Sequence, residues 1–129
     1  MAITVVRLGT PRRAKEGLRI GTVRRPPRGV PKAEFAKRNF YDVWLPNLAP
    51  SEDLVHAIMH SDGGDAAWKK FERKYRAEMK EPEKSRVLDV LAALSQQTNF
   101  SVGCYCEHEA RCHRSILKKL LAERGARIS

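Results

Sequence analysis

Hydrophobic positions along the chain change period at identifiable places. Residues 3–8, ITVVRL, form a β-branched run of the kind a buried first strand needs. In LRIGTVR, positions 18–24, Leu18, Ile20 and Thr22 alternate to one side and predict a second strand. Between them lies GTPRRAKEG, a loop bounded by glycine and proline. After the second strand comes RPPRGVPK, whose three prolines and glycine forbid regular structure and hold Arg24, Arg25 and Arg28 on a stiff loop.

From residue 51 the period becomes helical. Ser51 is placed to cap a helix with Glu52 and Asp53 in its first turn, where the helix dipole favours acids. Asp65 is placed to cap a second helix, with Trp68, Phe71 and Tyr75 on one face. A third spans EKSRVLDVLAALSQQ, with Val87, Leu88, Leu91 and Leu94 in register. The period then returns to two in NFSVGCYC, positions 99–106, predicting a strand with Phe100, Val102, Cys104 and Cys106 on one side. A turn, EHEARC, leads to a last helix that starts near Cys112 or His113, buries Ile116, Leu117, Leu120 and Leu121, and ends at Gly125.

Strands at both ends with helices between them predict an α/β fold: a single compact domain over 1–129, with a small, largely parallel sheet flanked by helices. Its parts are a basic strand- and loop-rich stretch (1–38), a helical stretch (51–97) and a strand-turn-helix segment (99–124). No internal repeat, membrane-length apolar run or secretory leader is present, and three crowded cysteines make no disulfide framework, so the expectation is a cytoplasmic protein without a membrane partner. Nothing in the sequence sets an oligomeric state.

Charge sharpens the picture because of where it sits. The net charge is +10, and residues 1–38 hold eleven Lys/Arg against two acids. Such density points to an anionic partner: a small phosphate- or nucleotide-like ligand, or nucleic acid.

The densest chemistry is at 104–114, where three cysteines, two histidines and two arginines crowd eleven positions. A strand ending near Cys106 and a helix opening near Cys112 place this segment at the sheet edge where α/β proteins bind ligands. Helix-start N–H groups, with Arg111, Arg114 and Ser115, make anion binding the preferred local reading. If the second strand runs parallel to this one, Arg24, Arg25 and Arg28 line the same cleft, with Trp44 and Asp42 as wall residues. Asp42 reads more readily as the partner of an arginine than as a base.

Cys112, between arginines and near a helix start, is a candidate reactive thiol with His113 as its imidazole, which would make the protein a thiol-containing enzyme. The Cys-x5-Arg phosphatase pattern fails, since Arg111 falls one residue early from Cys106 and Ala110 occupies the sixth position from Cys104. No cofactor is expected on this reading. The alternative is zinc held by a set drawn from Cys104, Cys106, Cys112, His108 and His113, although the spacing differs from ordinary paired zinc ligands. Cys104 and Cys106 otherwise read as strand interior, and His108 as a solvated loop residue.

The segments GLRIGTVRRPPRG with Lys32 beyond it, WLPNLAPS, WKKFERKYRAEM and CYCEHEARCHRSIL together resemble the domain of unknown function family numbered 488, within it the YeaO-like branch. The resemblance implies a compact cytoplasmic α/β domain and no established activity. Where that branch commonly carries DRLWPRG, this chain reads VRRPPRG, adding positive charge at positions 23–29.

Overall fold

Phe100–Cys104 is the strand on which the architecture depends. In the computed structural model, which describes residues 1–129, this segment (β4) lies between Ile3–Arg7 (β1) and Leu18–Gly21 (β2), and Val43–Trp44 (β3) completes the order β1-β4-β2-β3. Every pairing is parallel; Ile3 faces Phe100 and Arg7 faces Cys104 on one side, while Ile20 faces Val102 and Gly21 faces Gly103 on the other. A strand flanked on both sides cannot tolerate unmet polar groups, and every residue of β4 is buried. The observed strands are shorter than the alternation predicts. β2 stops at Gly21 and β4 at Cys104, and the two-residue β3 carries no readable period.

The helices are Glu52–Met59 (α1), Asp65–Met79 (α2), Pro82–Leu94 (α3) and His113–Glu123 (α4). Ser51 Oγ accepts from the Leu54 N–H, as a capping serine does, and the Ser51 N–H and hydroxyl both donate to Glu78 on α2. The cap of α2 is Gly64 rather than Asp65, whose carboxylate pairs instead with Arg111. The helices share one core with the sheet: Leu54, Phe71, Tyr75, Leu88, Ile116 and Leu117 meet Ile3, Ile20, Phe100 and Val102.

Tyr75 is fully buried within that core and donates to the Leu48 carbonyl at 2.6 Å. Tyr75→Phe leaves that carbonyl unsatisfied, and urea unfolding should show a loss of about 1–3 kcal/mol. A loss within error would mean that water reaches the carbonyl.

The opposite sheet face is closed by loops. Arg19 points there and is completely buried, so its charge needs internal partners. Its Nε and one Nη donate to Glu16 at 2.8 and 3.0 Å, and its other Nη donates to the Thr10 and Asn39 carbonyls. Ser101 of β4 donates to the same Glu16 carboxylate. Loop 9–17, polar in sequence, is thereby tied to the central strand by a buried charge pair.

Candidate functional site

Both β2 and β4 point their carboxyl ends at one cavity of about 770 Å³. Parallel strands direct their chain exits the same way, so such a hollow forms where their following loops separate. One wall comes from Val23, Arg24 and Arg25 after β2. The inner wall is Cys104, Tyr105 and Cys106 at the end of β4 with His113 at the start of α4, and the outer wall is the face of α1 carrying Glu52, Asp53, His56 and Met59. The Tyr105 hydroxyl donates to the Arg25 carbonyl at 3.0 Å and joins the two loops.

The inner wall holds the thiols. The sulfurs of Cys104, Cys106 and Cys112 all lie within 4.8 Å of one another. Cys104 and Cys112 are buried with their sulfurs in contact, in a small apolar cluster with Leu8, Val23 and Tyr41. Cys106 differs from the strand-interior reading: β4 ends two residues before it, and it is exposed. Partial burial pushes its thiol above the ordinary value, and the Arg114 charge, a backbone hydrogen bond and the Arg7 charge reverse only part of that rise.

His113 is held by two partners whose chemistry fixes its tautomer. Its Nε2 lies 2.8 Å from the Thr22 carbonyl, which can only accept, so Nε2 carries the hydrogen and donates it. Nδ1 is then the lone-pair nitrogen, 3.8 Å from the Cys112 sulfur. Burial lowers the imidazole pKa to about 4 against the opposing Thr22 hydrogen bond, with the Arg114 charge lowering it further. At neutral pH it is an uncharged acceptor facing the Cys112 sulfur.

The other candidates disperse. Arg24 donates from Nε to the Pro50 carbonyl, and Arg25 forms an exposed ion pair with Glu52, both at the cleft. Arg28 is exposed and outside the cleft lining. Arg111 lies over α2, paired with Asp65 and stacked on Trp68. Arg114 turns toward β1, donating to the Val6 carbonyl, and its Nε is buried without a partner. Ser115 donates to the Cys112 carbonyl and borders a different hollow.

Asp42 accepts both Nη groups of Arg12 and the Arg19 N–H, and hydrogen bonds from these partners hold its carboxyl low although burial alone would raise it. Trp44 donates from Nε1 to the Val23 carbonyl, and with Asp42 it lines a separate cavity of about 380 Å³. These two are therefore not walls of the thiol cleft. His108 is exposed, outside the three-sulfur cluster. The positioning of α1 as the outer wall had no local signal, because its polar face reads like any solvated helix face.

No helix is long and apolar enough to cross a membrane. No curated protein and no solved structure gives a match to the chain. One family model does, over residues 3–125, and its description is the active DUF488-N3 subclade. That span takes in every strand, every helix and the whole cleft lining, and the chain belongs to the DUF488 family through this DUF488-N3a subclade.

Proposed function

We propose that the cleft binds a small anion of phosphate or nucleotide type and that the thiols of its inner wall act on it. The observation that carries this reading is one cavity with Arg24 and Arg25 on one side and Cys104, Cys106 and His113 on the other. Its mixed lining, with Val23, Val55 and Met59 beside the arginines, suits a ligand with a flat apolar part as well as a charge. A subclade described as active fits a site built for chemistry.

Acidic residues shape the electrostatics. Glu52 and Asp53 share the cavity with the two arginines, and Glu52 already occupies Arg25. That pair is exposed on both sides, so an arriving anion displaces it at a cost of roughly 0–1 kcal/mol. Arg24, with its Nε tethered to Pro50, presents the rest of its guanidinium at fixed orientation. Arg24→Ala should weaken nucleoside monophosphate binding about tenfold or more, the worth of a charge-assisted hydrogen bond. Glu52→Gln should strengthen it by a few fold. Calorimetric titration at low salt distinguishes these directions, and equal affinity in all three proteins would remove the arginines from the site.

The alternative, a nucleic-acid module using the basic first 38 residues, has weaker support. Arg12, Arg19, Arg25 and Arg38 in that stretch are each paired with a carboxylate, so less of the charge is free than composition implies. A melting temperature raised by millimolar nucleoside monophosphate and unmoved by single-stranded oligonucleotide supports the cleft reading; the reverse supports the module.

A further inference from the structure

We propose that Cys104, Cys106 and Cys112 form a three-thiolate site for a zinc ion bordering the cleft. Three sulfurs from two separate elements converge within 4.8 Å of one another, brought there by the end of β4 and the residue that caps α4. Two zinc–sulfur bonds of about 2.3 Å at a tetrahedral angle hold sulfurs about 3.8 Å apart, so the Cys104 and Cys112 sulfurs, in contact without the ion, part by side-chain rotation to take it.

The backbone supports the same conclusion. The Cα atoms of Cys104 and Cys112 are 7.9 Å apart. An ordinary disulfide spans about 4.4–6.8 Å between Cα atoms, whereas an ion between the sulfurs adds reach. The chain therefore sets these cysteines at a separation better matched to a bridging metal than to a covalent bond.

One further feature fits the ion. Arg114, two residues after Cys112, is buried with its Nε unpartnered, and three thiolates around a divalent cation carry a net charge of −1 that a guanidinium at that range offsets in part. Cys104 and Cys106 both line the cleft. Three protein ligands leave the fourth tetrahedral position for a water or a ligand from that cleft, the arrangement of reactive rather than purely structural zinc. On binding, each thiol releases its proton to solvent and its sulfur lone pair forms the bond to zinc; no electron is transferred.

The test is the zinc content and zinc affinity of the full chain, purified without chelator, for the wild type and Cys106→Ser. Cys106 is exposed, so this substitution spares the core. The expected result is about one equivalent per wild-type chain. Cys106→Ser should keep the wild-type circular dichroism and lose more than about a hundredfold in affinity, beyond what a second-shell change costs. Cobalt-loaded wild type reads the ligand set without any variant, and should show thiolate-to-cobalt charge-transfer absorption. Less than about a tenth of an equivalent that added zinc does not raise overturns the proposal. So does unchanged affinity in Cys106→Ser, or a metal-free chain isolated with Cys104 and Cys112 oxidised. Because the readout is metal and not ligand, failure here leaves the anion-binding reading standing, and the converse also holds.

Discussion

Glu16→Gln should cost the domain about 3–5 kcal/mol in urea unfolding, because it leaves the Arg19 charge buried without its counter-ion. Arg19 has no access to solvent, and Glu16 supplies two of its charge-assisted hydrogen bonds while also accepting from Ser101 and the Arg13 N–H. Against a typical domain stability of about 5–15 kcal/mol, a loss of that size is a large fraction. The pair is not expected to be better than an apolar pair of the same shape. Glu16→Leu with Arg19→Met should therefore lose less than Glu16→Gln alone.

The pH dependence follows from the same contacts. Burial raises the Glu16 carboxyl, but the hydrogen bonds from Arg19, Ser101 and Arg13 outweigh it, and the net shift is downward. A carboxyl lowered in the folded state contributes stability above its unfolded value of about 4.3, and that contribution is lost as pH falls through the folded value. The gap between wild type and Glu16→Gln should thus be full at pH 7 and narrow below about pH 4. A gap under about 1 kcal/mol at pH 7 would mean that Arg19 finds water when its partner is removed.

The neighbouring residue gives the second large effect. Gly17 sits at φ +80°, and a Cβ there would lie 2.0 Å from the Asn99 carbonyl oxygen, which is backbone and cannot swing away. Gly17→Ala adds roughly 1–2 kcal/mol for the left-handed conformation and roughly 1–3 kcal/mol for the overlap. Gly125 is the internal control. It has φ +84° with nothing within 4 Å of the same position, so Gly125→Ala should show the conformational part alone. Thermal unfolding of the two variants separates the contributions, and equal losses would show that loop 9–17 moves off β4 without penalty.

What the sequence discloses follows the range of the forces involved. The four helices and the strands β1, β2 and β4 are visible because amphipathic period and capping are local, and Ser51 performs the capping its position predicts. Strand β3 is two residues long and exists only because β2 offers it an edge. Arg19 reads as one more surface cation until loop 9–17 folds Glu16 beneath the sheet. Arg111, Arg114, Asp42 and Trp44 have the chemistry of a shared anion pocket, yet each finds a partner nearer than the cleft, a choice made by side-chain geometry. Cys106 is separated from the strand interior by a strand end two residues earlier than its alternation suggests. The convergence of Arg24 and Arg25 with the end of β4 depends on strand order, which no local pattern encodes.

If the anion binds in this cleft, as proposed, and not on the basic surface at large, amide chemical-shift mapping during titration with a nucleoside monophosphate should show saturable shifts concentrated at Arg24, Arg25, Tyr105, Cys106 and His113, greatly reduced in Arg24→Ala. Shifts scattered over residues 1–38 with the cleft amides unmoved, or none at millimolar ligand and low salt, would contradict it.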